Sequence, residues 1–160
     1  MSMLAGLLLC GSPAAAYESQ GKFNLIPQPL SVRESEGSYT FRQFTVAYEP
    51  GNEELAEIAD LFGQKVIPPT GLPFETTTSP KKANVVFALT ADTTLGDEGY
   101  RLSVTPQGAT ISARKPAGVF YGVQTLLQLF PEQIKSPERV DGTAWTVPAI
   151  EISDRPRFAW

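Results

Sequence analysis

Asp97 and Glu98 stand side by side between Gly96 and Gly99, the one adjacent carboxylate pair apart from Glu53-Glu54. Two carboxyls can divide general-acid and general-base work when both face one substrate. Neighbours on an extended segment point to opposite sides, however, and the flanking glycines are turn formers, so the pair reads as a solvated turn. Asp92, Asp97 and Glu98 lack the regular oxygen-ligand spacing of a calcium loop and read as solvated loop as well. Arg155 and Arg157 could fork around a carboxylate or a row of hydroxyls, although a polar connection between elements is the plainer reading. Tyr17, Phe23, Trp145 and Trp160 could stack on a flat ligand face. No spacing organises them into a platform, and Trp145 and Trp160 fit packing better. Lys81-Lys82 is a charged loop tip. Residue by residue, no catalytic, cofactor-binding or metal-ligating side chain emerges.

What is missing narrows the chemistry further. The 160 residues contain no histidine, which excludes a Ser-His-Asp triad, a Cys-His pair and any His-ligated metal. Cys10 is the single cysteine, so there is no disulfide framework and no cysteine-rich zinc site. A net charge of -4 without a basic run argues against nucleic acid, whose binding depends on clustered Lys and Arg. An apolar fraction of 42% with 19% charged residues is that of a globular chain with enough length for a core. No metal or organic cofactor is implied.

The elements that must position these residues are legible in part. Phe44, Val46 and Tyr48 alternate with Thr45 and Ala47 as an inward-facing strand. Val85-Val86-Phe87-Ala88-Leu89 is an unbroken apolar run, the pattern of a strand covered on both faces. Tyr100, Leu102 and Val104, then Ala109, Ile111 and Ala113, alternate on either side of Pro106-Gln107-Gly108. That spacing predicts a hairpin whose turn ends in a left-handed glycine. Trp145 to Ile152 reads as a last strand. A first helix opens at Asn52, carries Leu55, Ile58, Ala59, Phe62 and Val66 on one stripe, and should stop at Pro68-Pro69. A second runs from Pro116 to Phe130, with an apolar arc over about half its girth. Gly118 and Gly122 in that arc permit close backbone approach. So wide an arc suggests that one flank lies on the domain's own sheet and the other meets a neighbour outside it. The grouping favours an α+β fold, a mainly antiparallel sheet with two α-helices packed on one face.

The first sixteen residues differ in kind. Met3 to Leu9 form a short apolar run, followed by Ser12-Pro13 and Ala14-Ala15-Ala16, the back half of a secretory signal cleaved after Ala16. No Lys or Arg precedes Lys22. The run is too short to span a membrane. A lipid anchor through Cys10 is the weaker reading, because Leu9 occupies a place where such signals carry a small residue. Export, to the periplasm or the exterior, is expected.

Three stretches together resemble a known family. They are Asn24-Leu25-Ile26-Pro27-Gln28-Pro29, Glu98 to Val104, and above all Ala117-Gly118-Val119-Phe120-Tyr121-Gly122-Val123-Gln124-Thr125-Leu126-Leu127-Gln128-Leu129. In this order, and ending with Ile152-Ser153-Asp154-Arg155-Pro156-Arg157-Phe158, they are similar to the N-terminal domain of family 20 glycoside hydrolases, the β-N-acetylhexosaminidases. The resemblance implies an accessory domain over residues 17–152, a leader over 1–16, and a junction at 153–160 to a catalytic barrel. It implies an antiparallel sheet with two helices, the second facing that barrel. Enzymes of the family release terminal N-acetylglucosamine or N-acetylgalactosamine with help from the sugar's own acetamido oxygen, an aspartate orienting it and the adjacent glutamate protonating the leaving group. Those carboxylates belong to the barrel, and the family's substrate-gripping arginine follows the position of Trp160. Arg157 lies upstream and does not inherit that role. The chain itself is therefore expected to be inactive, with the barrel as its partner. The alternative is a free-standing carbohydrate-binding or cell-surface module.

Overall fold

The computed structural model describes residues 24–155. In chain order the elements are β1 (Ser31–Thr40), β2 (Phe44–Ala47), α1 (Glu53–Thr70), β3 (Phe74–Thr77), β4 (Val85–Leu89), β5 (Tyr100–Thr105), β6 (Gly108–Ala113), α2 (Pro116–Leu129) and β7 (Thr146–Asp154). The strands form one sheet in the order β1-β7-β5-β6-β4-β2-β3. The ladders joining β1 to β7, β7 to β5 and β5 to β6 are antiparallel. Those joining β6 to β4, β4 to β2 and β2 to β3 are parallel and mostly shorter. The fold is thus α+β and mostly antiparallel, with a parallel flank. That flank arises because α1 carries the chain from β2 back to the same end of the sheet before β3 begins, as parallel pairing requires.

α1 starts as its sequence dictates. Asn52 is extended, and its Oδ1 accepts the Leu55 N–H at 3.1 Å. Leu55, Ile58, Ala59, Phe62 and Val66 are all buried, while Glu57, Asp60 and Gln64 face solvent. Its end departs from expectation. The helix continues through Pro68 and Pro69 to Thr70, and Gly71 closes it at φ 62°. Two prolines cost two N–H donors, and three contacts compensate for the disturbed last turn. Thr70 Oγ1 donates to Val66 O at 2.5 Å, Gly71 N to Ile67 O at 2.8 Å, and Val140 N to Pro69 O at 2.8 Å.

α2 is pressed more closely onto the sheet. A Cβ at Gly118 would run into Gly99 O and Ala113 Cβ, and one at Gly122 into Ile111 Cγ2. The two glycines therefore set the distance between α2 and the β5–β6 hairpin, as their spacing suggests. The wide apolar arc has a different explanation from the expected one. Val119, Val123 and Leu126 are buried, because α2 packs on β4, β5 and β6 beneath and touches α1 alongside. Two internal neighbours use most of the arc. What remains outward is a strip of Ala117, Tyr121, Gln124 and Gln128, with Phe120 and Leu127 half-buried.

Three strand expectations are also adjusted. In β4, Val85 and Phe87 are buried but Val86 and Ala88 are half-exposed and Leu89 is exposed, since both helices lie on one face. In the hairpin, Thr105 pairs with Gly108, so the turn proper is Pro106-Gln107. Gly108 already belongs to β6 at φ 140°, pressed against Asn84 O. β1 and β3, the two sheet edges, go unread in the sequence. β1 is almost wholly solvent-facing and β3 is four residues long, so neither carries an apolar alternation. The core is one cluster spanning both helices and the sheet, with Phe41, Phe44, Phe62, Phe74 and Phe130 forming a chain of ring contacts at one end.

Candidate functional site

A cleft of about 320 Å³ opens on the outward strip of α2. Tyr121, Gln124, Thr125 and Gln128 form one wall, the Ile26-Pro27-Gln28 loop another, and Asp154 and Arg155 at the end of β7 a third. Tyr100 and Glu98 complete the lining. The helix contributes because residues three and four apart share one face.

The floor is neutral and dry. Tyr100 Oη and Thr125 Oγ1 share a hydrogen bond at 2.5 Å, and both side chains are buried. Burial pushes the Tyr100 phenol up to about 12; the Thr125 hydrogen bond opposes this, and the Asp154 carboxylate adds to it. A phenol held protonated through the physiological range cannot serve as a base there. The walls are tied together by polar contacts. Ile26 N donates to Gln128 Oε1 at 2.9 Å, and Gln128 Nε2 donates back to Ile26 O at 3.0 Å. Leu30 N donates to Asp154 Oδ1 at 3.2 Å, and Arg155 Nη1 to Thr94 O at 3.2 Å. This arrangement suits holding a surface in place and offers no activated nucleophile or acid–base pair.

The residues singled out from sequence scatter. Asp97 turns to Lys115 Nζ at 2.6 Å and Arg114 Nη1 at 3.2 Å, while Glu98 borders the cleft. The hydrogen bond from Lys115 lowers the Asp97 carboxyl below the ordinary carboxylate range, with further help from both positive charges. Asp92 caps the short turn at Thr93–Leu95, accepting Thr94 N at 2.9 Å and Thr94 Oγ1 at 2.6 Å. It also meets Arg101 Nη2 at 2.7 Å. The Thr94 hydrogen bonds lower its carboxyl first, and Arg101 contributes less. Among the described residues no group of three His, Cys, Asp or Glu side chains could hold a metal ion, and no helix is long and apolar enough to cross a membrane. Lys81 and Lys82 are exposed between β3 and β4. Trp145 is only 5% exposed, so it packs and cannot stack on a ligand. Arg155 reaches the cleft. Cys10, Tyr17, Phe23, Arg157, Trp160 and the leader over 1–16 lie outside the described residues.

Sequence reasoning put Tyr121, Gln124 and Gln128 on one polar strip but gave them no task. The available signal was the i, i+3, i+7 spacing of the three on an otherwise apolar helix. Nothing local indicated that residues 26–28, about a hundred positions earlier, complete the wall.

Comparison with known proteins agrees with this architecture. Residues 22–155 match the model of glycosyl hydrolase family 20, domain 2. A beta-hexosaminidase of Porphyromonas gingivalis is 32% identical over 162 residues, which is 98% of this chain and 21% of that protein. A beta-N-acetylhexosaminidase of Cellulomonas fimi is 32% identical over 143 residues, 85% of this chain and 27% of the other. A solved N-acetyl-beta-hexosaminidase from Streptomyces plicatus superposes with a TM-score of 0.75 at 34% identity, covering 82% of this chain and 26% of its own. The chain thus spans about a quarter or less of each relative, and these relatives are larger proteins in which this domain accompanies a catalytic one. With its seven-stranded sheet, its two helices and its match over residues 22–155, the chain belongs to the domain 2 family of the family 20 glycosyl hydrolases.

Proposed function

We propose that this chain is the non-catalytic accessory domain of an exported β-N-acetylhexosaminidase, and that its task is to pack against and steady the catalytic domain. The enzyme would remove terminal N-acetylglucosamine or N-acetylgalactosamine from glycans, as the relatives' names suggest. One observation carries the packing role: the cleft beside α2 is lined by Arg155, the residue from which the chain leaves β7. Whatever follows emerges against that wall. The apolar run and alanines of residues 1–16 support export.

The test compares two proteins. The 160-residue chain should leave an aryl N-acetylglucosaminide intact, and the longer polypeptide encoded through the Trp160 codon should hydrolyse it. Turnover by the short chain, or none by the long one, refutes the reading. Mass spectrometry of exported material should find Tyr17 as the first residue. A second reading, a free-standing carbohydrate-binding module, draws on the convergence of Tyr121, Gln124, Glu98 and Arg155 around one cleft. Calorimetric titration with chitobiose separates the two, because saturable binding by the short chain favours the module.

A further inference from the structure

We propose that Ile26, presented on a fixed loop beside the cleft, is the apolar anchor that holds the domain following Arg155; the proposal rests on the accessory-domain reading above. Ile26 is 78% exposed and Leu30 is exposed as well. A solitary surface isoleucine carries no meaning by itself. This one differs in how its backbone is held. The Gln128 amide closes on both main-chain groups of Ile26, accepting its N–H at 2.9 Å and donating to its C=O at 3.0 Å. Four residues on, Asp154 Oδ1 fixes the Leu30 N–H at 3.2 Å. Leu25 is buried beneath. The loop is thus tied at one point to α2 and at another to the end of β7, and the side chain between the ties points to solvent. A loop with its apolar residue free to turn inward would gain by covering it. Here the hydrogen bonds keep it displayed.

The occupant follows from where the chain leads. Asp154, which ties the loop, is the last residue of β7, and Arg155 lines the cleft. A domain tethered there sits next to Ile26 at high effective concentration, so a modest apolar contact suffices to seat it. Ile26, Pro27 and Tyr121 supply an apolar centre, and Gln124, Glu98 and Arg155 a polar rim, which is the usual anatomy of a protein interface. Gln128 acts through Ile26 and is a positioning residue.

Ile26→Asp and Gln128→Ala test this in both the 160-residue chain and the longer polypeptide. Ile26→Asp should shift the melting temperature of the short chain by less than about 2 °C, as expected of an exposed position. In the longer protein it should speed proteolytic cleavage within residues 153–160 about tenfold, the loss expected from one buried aliphatic side chain. Gln128→Ala should do the same, and should also accelerate hydrogen exchange at the Ile26 amide in both proteins. Unchanged junction cleavage in an Ile26→Asp protein that still hydrolyses the aryl substrate overturns the anchor and leaves the accessory-domain reading standing. A longer polypeptide without hydrolysis overturns that reading instead. Chitobiose that binds the short chain and perturbs Tyr121 resonances assigns the cleft to sugar and overturns the anchor.

Discussion

Gly122 lies where α2 crosses Tyr100 and Ile111, and no larger residue fits without moving the helix. Gly122→Ala gains about 1 kcal/mol of helix propensity but should lose more by overpacking, typically about 1–3 kcal/mol. Urea denaturation should therefore show a net loss. Tyr100 makes the second prediction at this scale. Its phenol titrates near 12 when folded, above the ordinary value of 10.0, so the unfolded chain releases the proton first. The stability this supplies is complete below pH 10 and fades as pH rises towards 12. Tyr100→Phe should remove that part of the alkaline loss. At neutral pH it should cost about 1 kcal/mol, because the buried Thr125 hydroxyl loses its partner. The acidic residues behave in the opposite sense: the lowered carboxyls of Asp92 and Asp97 favour the fold above the usual carboxylate range and less as pH falls. Both sit in open water, which screens them. Sequence could rank these acids as solvated because their neighbours are turn formers. It could not find the Tyr100–Thr125 pair, whose members are 25 residues apart.

At the scale of elements, α1 and α2 were legible for the same reason: apolar spacing at 3.6 residues and a start signal, Asn52 in one and Pro116 in the other. Asn52→Ala should lower stability by about 1 kcal/mol, since it frees the Leu55 N–H. Its effect should appear in thermal denaturation, with no change in the sheet. The end of α1 was misjudged because the rule that proline stops a helix is a rule about interiors. In a last turn the carbonyls matter more than the donors, and Thr70, Gly71 and Val140 engage three of them. β1 was invisible for a different reason. Its partner is β7, over a hundred residues away, and its own side chains are polar. Backbone pairing holds it, and backbone pairing leaves no mark on composition.

For the whole molecule the consequence is one shared core. β1 and β7 close one end of the sheet and α1 covers the other, so no part has a core of its own. In a Trp160→Phe background, the buried Trp145 should emit at short wavelength and shift red in the same transition that abolishes helical circular dichroism. Two separate transitions would contradict a single cooperative unit. By itself the amino-acid sequence determined the two helices, the β5–β6 hairpin, the α+β class and the want of catalytic side chains. Each depends on residue type or on spacing within about fifteen positions, where local geometry dictates the outcome. Tertiary structure alone decided the parallel flank, the edge strands, the burial of most of the α2 arc against α1, and the cleft. These join segments up to about a hundred residues apart, and only the packed sheet fixes which distant backbone meets which side chain.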